Sequence, residues 1–120
     1  MDNSRELSSR VIENLWCYVI ATKFDIIYLM NTKRWVRIFK GFSNENRVGI
    51  VRFLFSGKKP RTVTEISEHL GISLKATSRH LIILEGLEVL ESKGSQGHVF
   101  YSINSSAPAD VQRAMNLFLL

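Results

Sequence analysis

Thr62-Val63-Thr64-Glu65-Ile66-Ser67-Glu68-His69-Leu70-Gly71-Ile72-Ser73-Leu74-Lys75-Ala76-Thr77-Ser78-Arg79-His80-Leu81 holds two helix starts with one turn between them. Thr62 to Glu65 has the capping-box form, in which the hydroxyl accepts from the backbone at Glu65 while that carboxylate reaches back. A short helix to Leu70 follows, with Ile66 and Leu70 on its buried side. Gly71 suits a left-handed helix end, Ile72 can plug the corner, and Ser73 can cap the next helix. Two helices joined so tightly cross steeply, so the residues at the crossing must be small, as Ser67 and Thr77 are. The second helix is expected from Leu74 to about Leu87, burying Thr77, Leu81 and Leu84 and turning Lys75, Ser78, Arg79 and Ile82 outward.

Downstream, the period changes from helical to alternating. Val89–Lys93 and His98–Ile103 read as strands joined by Gly94-Ser95-Gln96-Gly97, a hairpin loop with two permissive glycines. Pro108 opens a last helix ending in Met115, Leu117, Phe118, Leu119 and Leu120, an apolar terminus exposed unless it packs on a partner. Upstream, Ser43 and Asn44 are candidate caps for a helix to about Phe55 with Val48, Val51, Leu54 and Phe55 inward, stopped by Gly57-Lys58-Lys59-Pro60. Residues 33–42 place Trp35, Ile38, Phe39 and Phe42 on one helical face, and Lys33, Arg34, Arg37 and Lys40 largely on the other. That pattern fits an amphipathic helix docked on the core, which we prefer, or a basic membrane-surface segment. Residues 6–30 carry apolar side chains on two sides of one helix (Leu7, Val11, Leu15, Val19; Ile12, Trp16, Ile20, Phe24, Ile27). A second copy of the chain would cover the surplus face, so a homodimer is expected, with Leu15, Trp16, Val19, Ile20, Phe118 and Leu119 at its interface.

Helix, helix, tight turn, helix, hairpin is the order in which a winged helix-turn-helix presents one helix to the DNA major groove and a loop to the neighbouring backbone. The expected class is mainly α with a small β-hairpin, divided into an N-terminal helical dimerisation region (1–42), a DNA-binding winged helix (43–104) and a C-terminal helix (105–120). Ser73, Lys75, Ala76, Ser78 and Arg79 put small, polar or basic side chains near the start of the expected recognition helix 74–86, able to reach base edges. Thr62, Thr64 and Ser73 lie at helix starts, where unpaired N–H groups attract phosphate. His80 is expected to pack or to bond a phosphate, and Lys93, Ser95, Gln96 and His98 belong to the wing around loop 94–97. The double-stranded DNA partner would make the chain a transcriptional regulator.

Here the sequence resembles the ArsR family of winged-helix transcriptional regulators. The likeness runs from Phe42-Ser43-Asn44-Glu45-Asn46-Arg47 through Thr64–Ser73 and Ala76-Thr77-Ser78-Arg79-His80-Leu81 to the hairpin ending His98-Val99-Phe100-Tyr101-Ser102-Ile103. The resemblance implies a dimer built from the terminal helices, with residues 74–86 as the recognition helix. The chain departs from the family at three places. Thr62 and Thr64 stand where metal-sensing members carry a Cys-x-Cys pair, and hydroxyls are poor ligands for soft metals. The last helix lacks the Asp and His set of the zinc sensors. Glu88 stands where many relatives have a glycine, with Gly86 two residues earlier.

Composition narrows the alternatives. At 120 residues, 45% hydrophobic and 22% charged, the chain can build a core. Cys17 is the only cysteine, so no intrachain disulfide forms, and a reducing, cytoplasmic setting is expected. Its place in an apolar helix makes it a core residue. The polar start, Met1 to Arg10, lacks a signal core, and Glu13, Asn14, Lys23 and Asp25 interrupt the apolar stretch 11–30, so a membrane span is not expected. His69, His80 and His98 fall on three elements without ligand spacing, so no metal is expected. No Ser-His-Asp order, carboxylate pair or phosphate-cradling loop suggests catalysis, and no cofactor is expected. The net charge of +5 is unevenly spread. Residues 33–61 hold nine Lys or Arg against Glu45 alone, whereas from Thr62 onward acids outnumber bases. That acidity motivates a rival reading, a winged helix used for protein or membrane-surface association without DNA.

Overall fold

The computed structural model describes residues 31–119, which run through α1 (31–42), α2 (Glu45–Gly57), β1 (Arg61–Thr62), α3 (Val63–Leu70), α4 (Leu74–Gly86), β2 (Leu90–Ser95), β3 (His98–Ile103) and α5 (Ala109–Leu119). The chain divides, within α1, into a unit of residues 1–35 and a compact unit, Val36–Leu120, which carries the core and the candidate site. Leu15, Trp16, Val19 and Ile20, and with them the expected dimerisation helix 6–30, lie outside the described residues.

Of the two candidate caps, Asn44 starts α2, accepting from the backbone N–H groups of Asn46 (2.9 Å) and Arg47 (3.3 Å). Ser43 closes α1 instead, its hydroxyl donating to the Lys40 carbonyl at 2.7 Å. The helix passes Phe55 and runs to Gly57, where Lys58 turns left-handed at φ 53°. Its buried arc is Ile50, Val51 and Leu54, with Val48 half-buried. Phe55, expected inward, is 47% exposed. At about 100° per residue it falls off that arc, at the rim of a cleft lined by Leu54, Lys59, Pro60 and Ile103. The same offset corrects α1: Ile38 is buried and Phe42 half-buried, but Phe39 is 55% exposed.

The hairpin is a three-stranded antiparallel sheet in the order β1-β3-β2. Arg61 and Thr62 pair with Tyr101 and Phe100, covering the outer edge of β3. Two residues show no alternation, so this strand is invisible in the sequence. Ser95 pairs with His98, leaving a two-residue turn, Gln96 at φ 52° and Gly97 at φ 79°, the doubly positive geometry that matches strand twist. Gly94 sits inside β2 opposite Val99, so only Gly97 supplies the permissive conformation.

Ile38, Ile50, Val51, Ile66, Leu81, Leu84, Val89, Leu90 and Val111 fill the core, each apolar side chain contributing about 1.5–3 kcal/mol through burial. The C-terminal helix shares it: Val111, Ala114 and Met115 are buried in the chain's own core, so Met115 is not part of an exposed terminus. Among the described apolar residues there, Leu117 is exposed, at 79%, while Phe118 and Leu119 are half-buried.

Candidate nucleic-acid interface

The turn between α3 and α4 is held by local chemistry. Thr62 caps α3, its hydroxyl accepting from Glu65 N–H at 3.2 Å. The Glu65 carboxylate reaches back to that hydroxyl (3.4 Å) and to the Arg61 guanidinium (3.1 Å). The hydrogen bond from Arg61 holds the Glu65 carboxyl below its ordinary range. Gly71 takes φ 68°, and its N–H and that of Ile72 both donate to the Ser67 carbonyl, at 2.9 and 3.2 Å. Ser73 then caps α4, accepting from Ala76 N–H at 3.1 Å. Ser67 and Thr77 are buried at the crossing, each hydroxyl donating to a carbonyl one turn earlier, of Thr64 (2.9 Å) and Ser73 (2.8 Å).

With Thr77, Leu81 and Leu84 fully buried, the opposite face of α4 points to solvent. Lys75, Arg79 and Ile82 are exposed on it, and Ala76 and Ser78 lie half-buried at its edges. Thr64 is exposed on the first turn of α3, and Thr62 is half-buried with its hydroxyl committed to the cap. Lys93, Ser95, Gln96 and His98 are exposed on the wing, a different element from the one that carries the helix residues. The hairpin is tied to α4 by Ser92, whose hydroxyl donates to the Glu85 carboxylate at 2.7 Å.

His80 stands apart from the outward line. Arg47 Nη1 lies 3.1 Å from its Nδ1, and because guanidinium only donates, the imidazole accepts there and carries its proton on Nε2. Burial, and then the Arg47 charge, push its pKa below the ordinary value. The same guanidinium donates through Nε to the Gly41 carbonyl (2.6 Å) and through Nη2 to that of Lys40 (3.2 Å), binding the last turn of α1 to α4. Arg61 is also engaged internally, its guanidinium 4.9 Å from the Phe53 ring, which stacks on His69 at 3.8 Å. Arg52 donates to the Phe118 carbonyl at 3.3 Å.

The fold also brings two cations to α4 that a reading of helix starts misses. Arg37 and Lys40 on α1 line an open groove of about 410 Å³ with Ile82, Ile83 and Gly86. Their charge is legible in the run 33–61, but its destination is not. The α4 terminus carries the family departure: Glu88 is left-handed at φ 64°, its N–H donating to Glu85 O (2.9 Å) while Val89 N–H donates to Leu84 O (3.0 Å). A glycine would adopt that conformation without steric cost. Among the described residues, no group of three His, Cys, Asp or Glu could hold a metal ion, and no helix is long and apolar enough to cross a membrane.

Comparison with known proteins places this geometry among regulators. The family model described as bacterial regulatory protein, arsR family, matches residues 44–92. The transcriptional repressor SdpR of Bacillus subtilis (strain 168) is 33% identical over 73 residues, spanning 61% of this chain and 79% of that protein. Among solved structures, HlyU from Vibrio cholerae is 28% identical with a TM-score of 0.60, over 72% of this chain and 89% of its own. The homodimeric winged helix-turn-helix DNA-binding domain Mb0332 of Mycobacterium bovis is 25% identical with a TM-score of 0.62, over 74% and 78%.

Proposed function

The chain belongs to the ArsR family of bacterial regulatory proteins, winged-helix transcriptional regulators, and we propose that it acts as a homodimer that binds double-stranded DNA in a sequence-dependent way. Residues 74–86 enter the major groove and the 94–97 wing meets the adjacent backbone. The observation that carries this reading is the exposure of Lys75 and Arg79 on one line of a capped helix that buries Thr77, Leu81 and Leu84 on its opposite face. Ser73, Ala76 and Ser78 flank that line near the helix start, Thr62 and Thr64 offer the α3 start to phosphate, and Lys93, Ser95, Gln96 and His98 serve the wing. His80 serves as a positioning residue through Arg47.

In this reading residues 1–42 and 105–120 are the dimerising parts, 43–104 the DNA-binding part, and the protein works in the cytoplasm without metal or cofactor. The Mycobacterium bovis relative is homodimeric, which supports the assembly, and Leu117 supplies an exposed apolar contact for it. Selection of bound sequences from a random DNA pool, followed by a salt titration, tests the proposal. Enrichment of a two-fold symmetric site and a steep loss of affinity with salt are expected. No binding at low salt would overturn it in favour of a protein- or membrane-association module. The exposed Phe39 among the cations of α1 motivates the membrane version, which predicts liposome co-sedimentation abolished by Trp35→Glu.

A further inference from the structure

We propose that the DNA footprint extends past the first half of α4 into the groove between α1 and α4, where Arg37 and Lys40 seat the phosphate strand bordering the major groove and Ile82 meets a thymine methyl. This deepens the DNA-binding reading and rests on it.

Ile82 lies seven positions after Lys75 and three after Arg79, so at 3.6 residues per turn all three share one line. It is 66% exposed, an isoleucine that the fold leaves uncovered on the face otherwise carrying Lys75 and Arg79. In the major groove the apolar feature on the floor is the thymine methyl, which a branched aliphatic side chain complements. A helix about 10–12 Å across fills a groove about 12 Å wide, so phosphate strands must run along both its flanks. On one flank stands the last turn of α1. The Arg47 guanidinium holds that turn in place, bonded to the Lys40 and Gly41 carbonyls and to His80. At Gly41 the backbone approaches α4 so closely that a Cβ would overlap the Leu87 side chain.

Arg37 and Lys40 therefore have a set position beside α4, both exposed, and no acidic side chain lines the groove with them. Arg47 is already spent on internal partners, which leaves these two cations to meet phosphate. An acidic protein segment would answer the same charge. DNA is favoured because the apolar wall continues the line of Lys75 and Arg79, so one ligand covers the whole face.

The test uses the full chain and its selected duplex. Each phosphate contact lowers the slope of log affinity against log salt by about 0.9, so the double variant R37Q/K40Q should flatten it by nearly two, while R113Q on α5 leaves it unchanged. Deoxyuridine, which lacks only the methyl, is placed at each thymine in turn. The wild type should lose several-fold affinity at one position per half-site, and Ile82→Ala should be indifferent there. A salt slope unchanged in R37Q/K40Q, or the absence of any deoxyuridine position specific to Ile82, would overturn the inference while leaving DNA binding intact. A wild type that binds no duplex at low salt would overturn the underlying reading as well. Retained ellipticity and urea midpoint in each variant separate a lost contact from a lost fold.

Discussion

At the scale of single residues, the outcome turns on which side chains the protein uses on itself. Arg79 is exposed on the outward line of α4, so Arg79→Ala should leave stability within about 0.5 kcal/mol but weaken binding to the selected duplex by about 1–3 kcal/mol. Unchanged affinity in a titration would remove it from the interface. Gly41 presents the opposite case. Ala at that site must displace Leu87 in a buried position, and overpacking of this kind costs about 1–3 kcal/mol, readable as a lower urea midpoint with the slope preserved. His80 adds a pH dependence. Its folded-state pKa is lowered by burial and by Arg47, so the unfolded chain takes up the proton first as acid is added. Its contribution to stability is therefore complete above about pH 6.5, falls as pH drops from there through the lowered value, and levels off below it. Urea midpoints at pH 7.5 and 5.5 should differ less in His80→Gln than in the wild type. An equal difference would show that other groups carry the effect.

At the scale of elements, caps and turns follow from neighbours a few positions apart, which is why they are legible. Spacing alone marks Thr62 and Ser73 as caps, and both accept the expected backbone N–H. Gly71, the expected left-handed stop, takes φ 68°. Ser73→Ala should therefore cost about 1 kcal/mol, as loss of an N-cap does, with the first turn of α4 showing faster amide exchange while the buried turns near Leu81 and Leu84 keep their protection. Uniformly unchanged exchange would mean that packing alone sets the start of this helix. What depends on distant partners is less legible. β1 exists because β3 offers a free edge about forty residues later, and Phe55 and Phe39 are exposed because the buried arcs of α2 and α1 are narrower than their apolar patterns.

For the whole molecule, the open issue is how a site with modest local charge is completed. The tail of α5 contributes inward through Val111, Ala114 and Met115, and Phe118 packs on Phe42 at 5.1 Å, so its apolar pattern is largely consumed within the chain. Leu117 remains outside. If the chain pairs through this helix, Leu117→Glu should raise the dimer dissociation constant at least tenfold in sedimentation equilibrium and weaken duplex binding in parallel, because two half-sites need two linked helices. A variant that sediments like the wild type would move the interface elsewhere.

Helices, caps, the stop at Gly71 and the outward line of Lys75 and Arg79 are readable along the chain, since each arises from backbone bonding and periodicity over about one or two turns. Three-dimensional packing chose the rest: that Arg47 is a clamp instead of a surface cation, that His80 is held by it, and that Arg37 and Lys40 stand beside Ile82. The physical reason is range, because charge and apolar pattern specify what a side chain can do, while its partners depend on elements that meet only when the core closes.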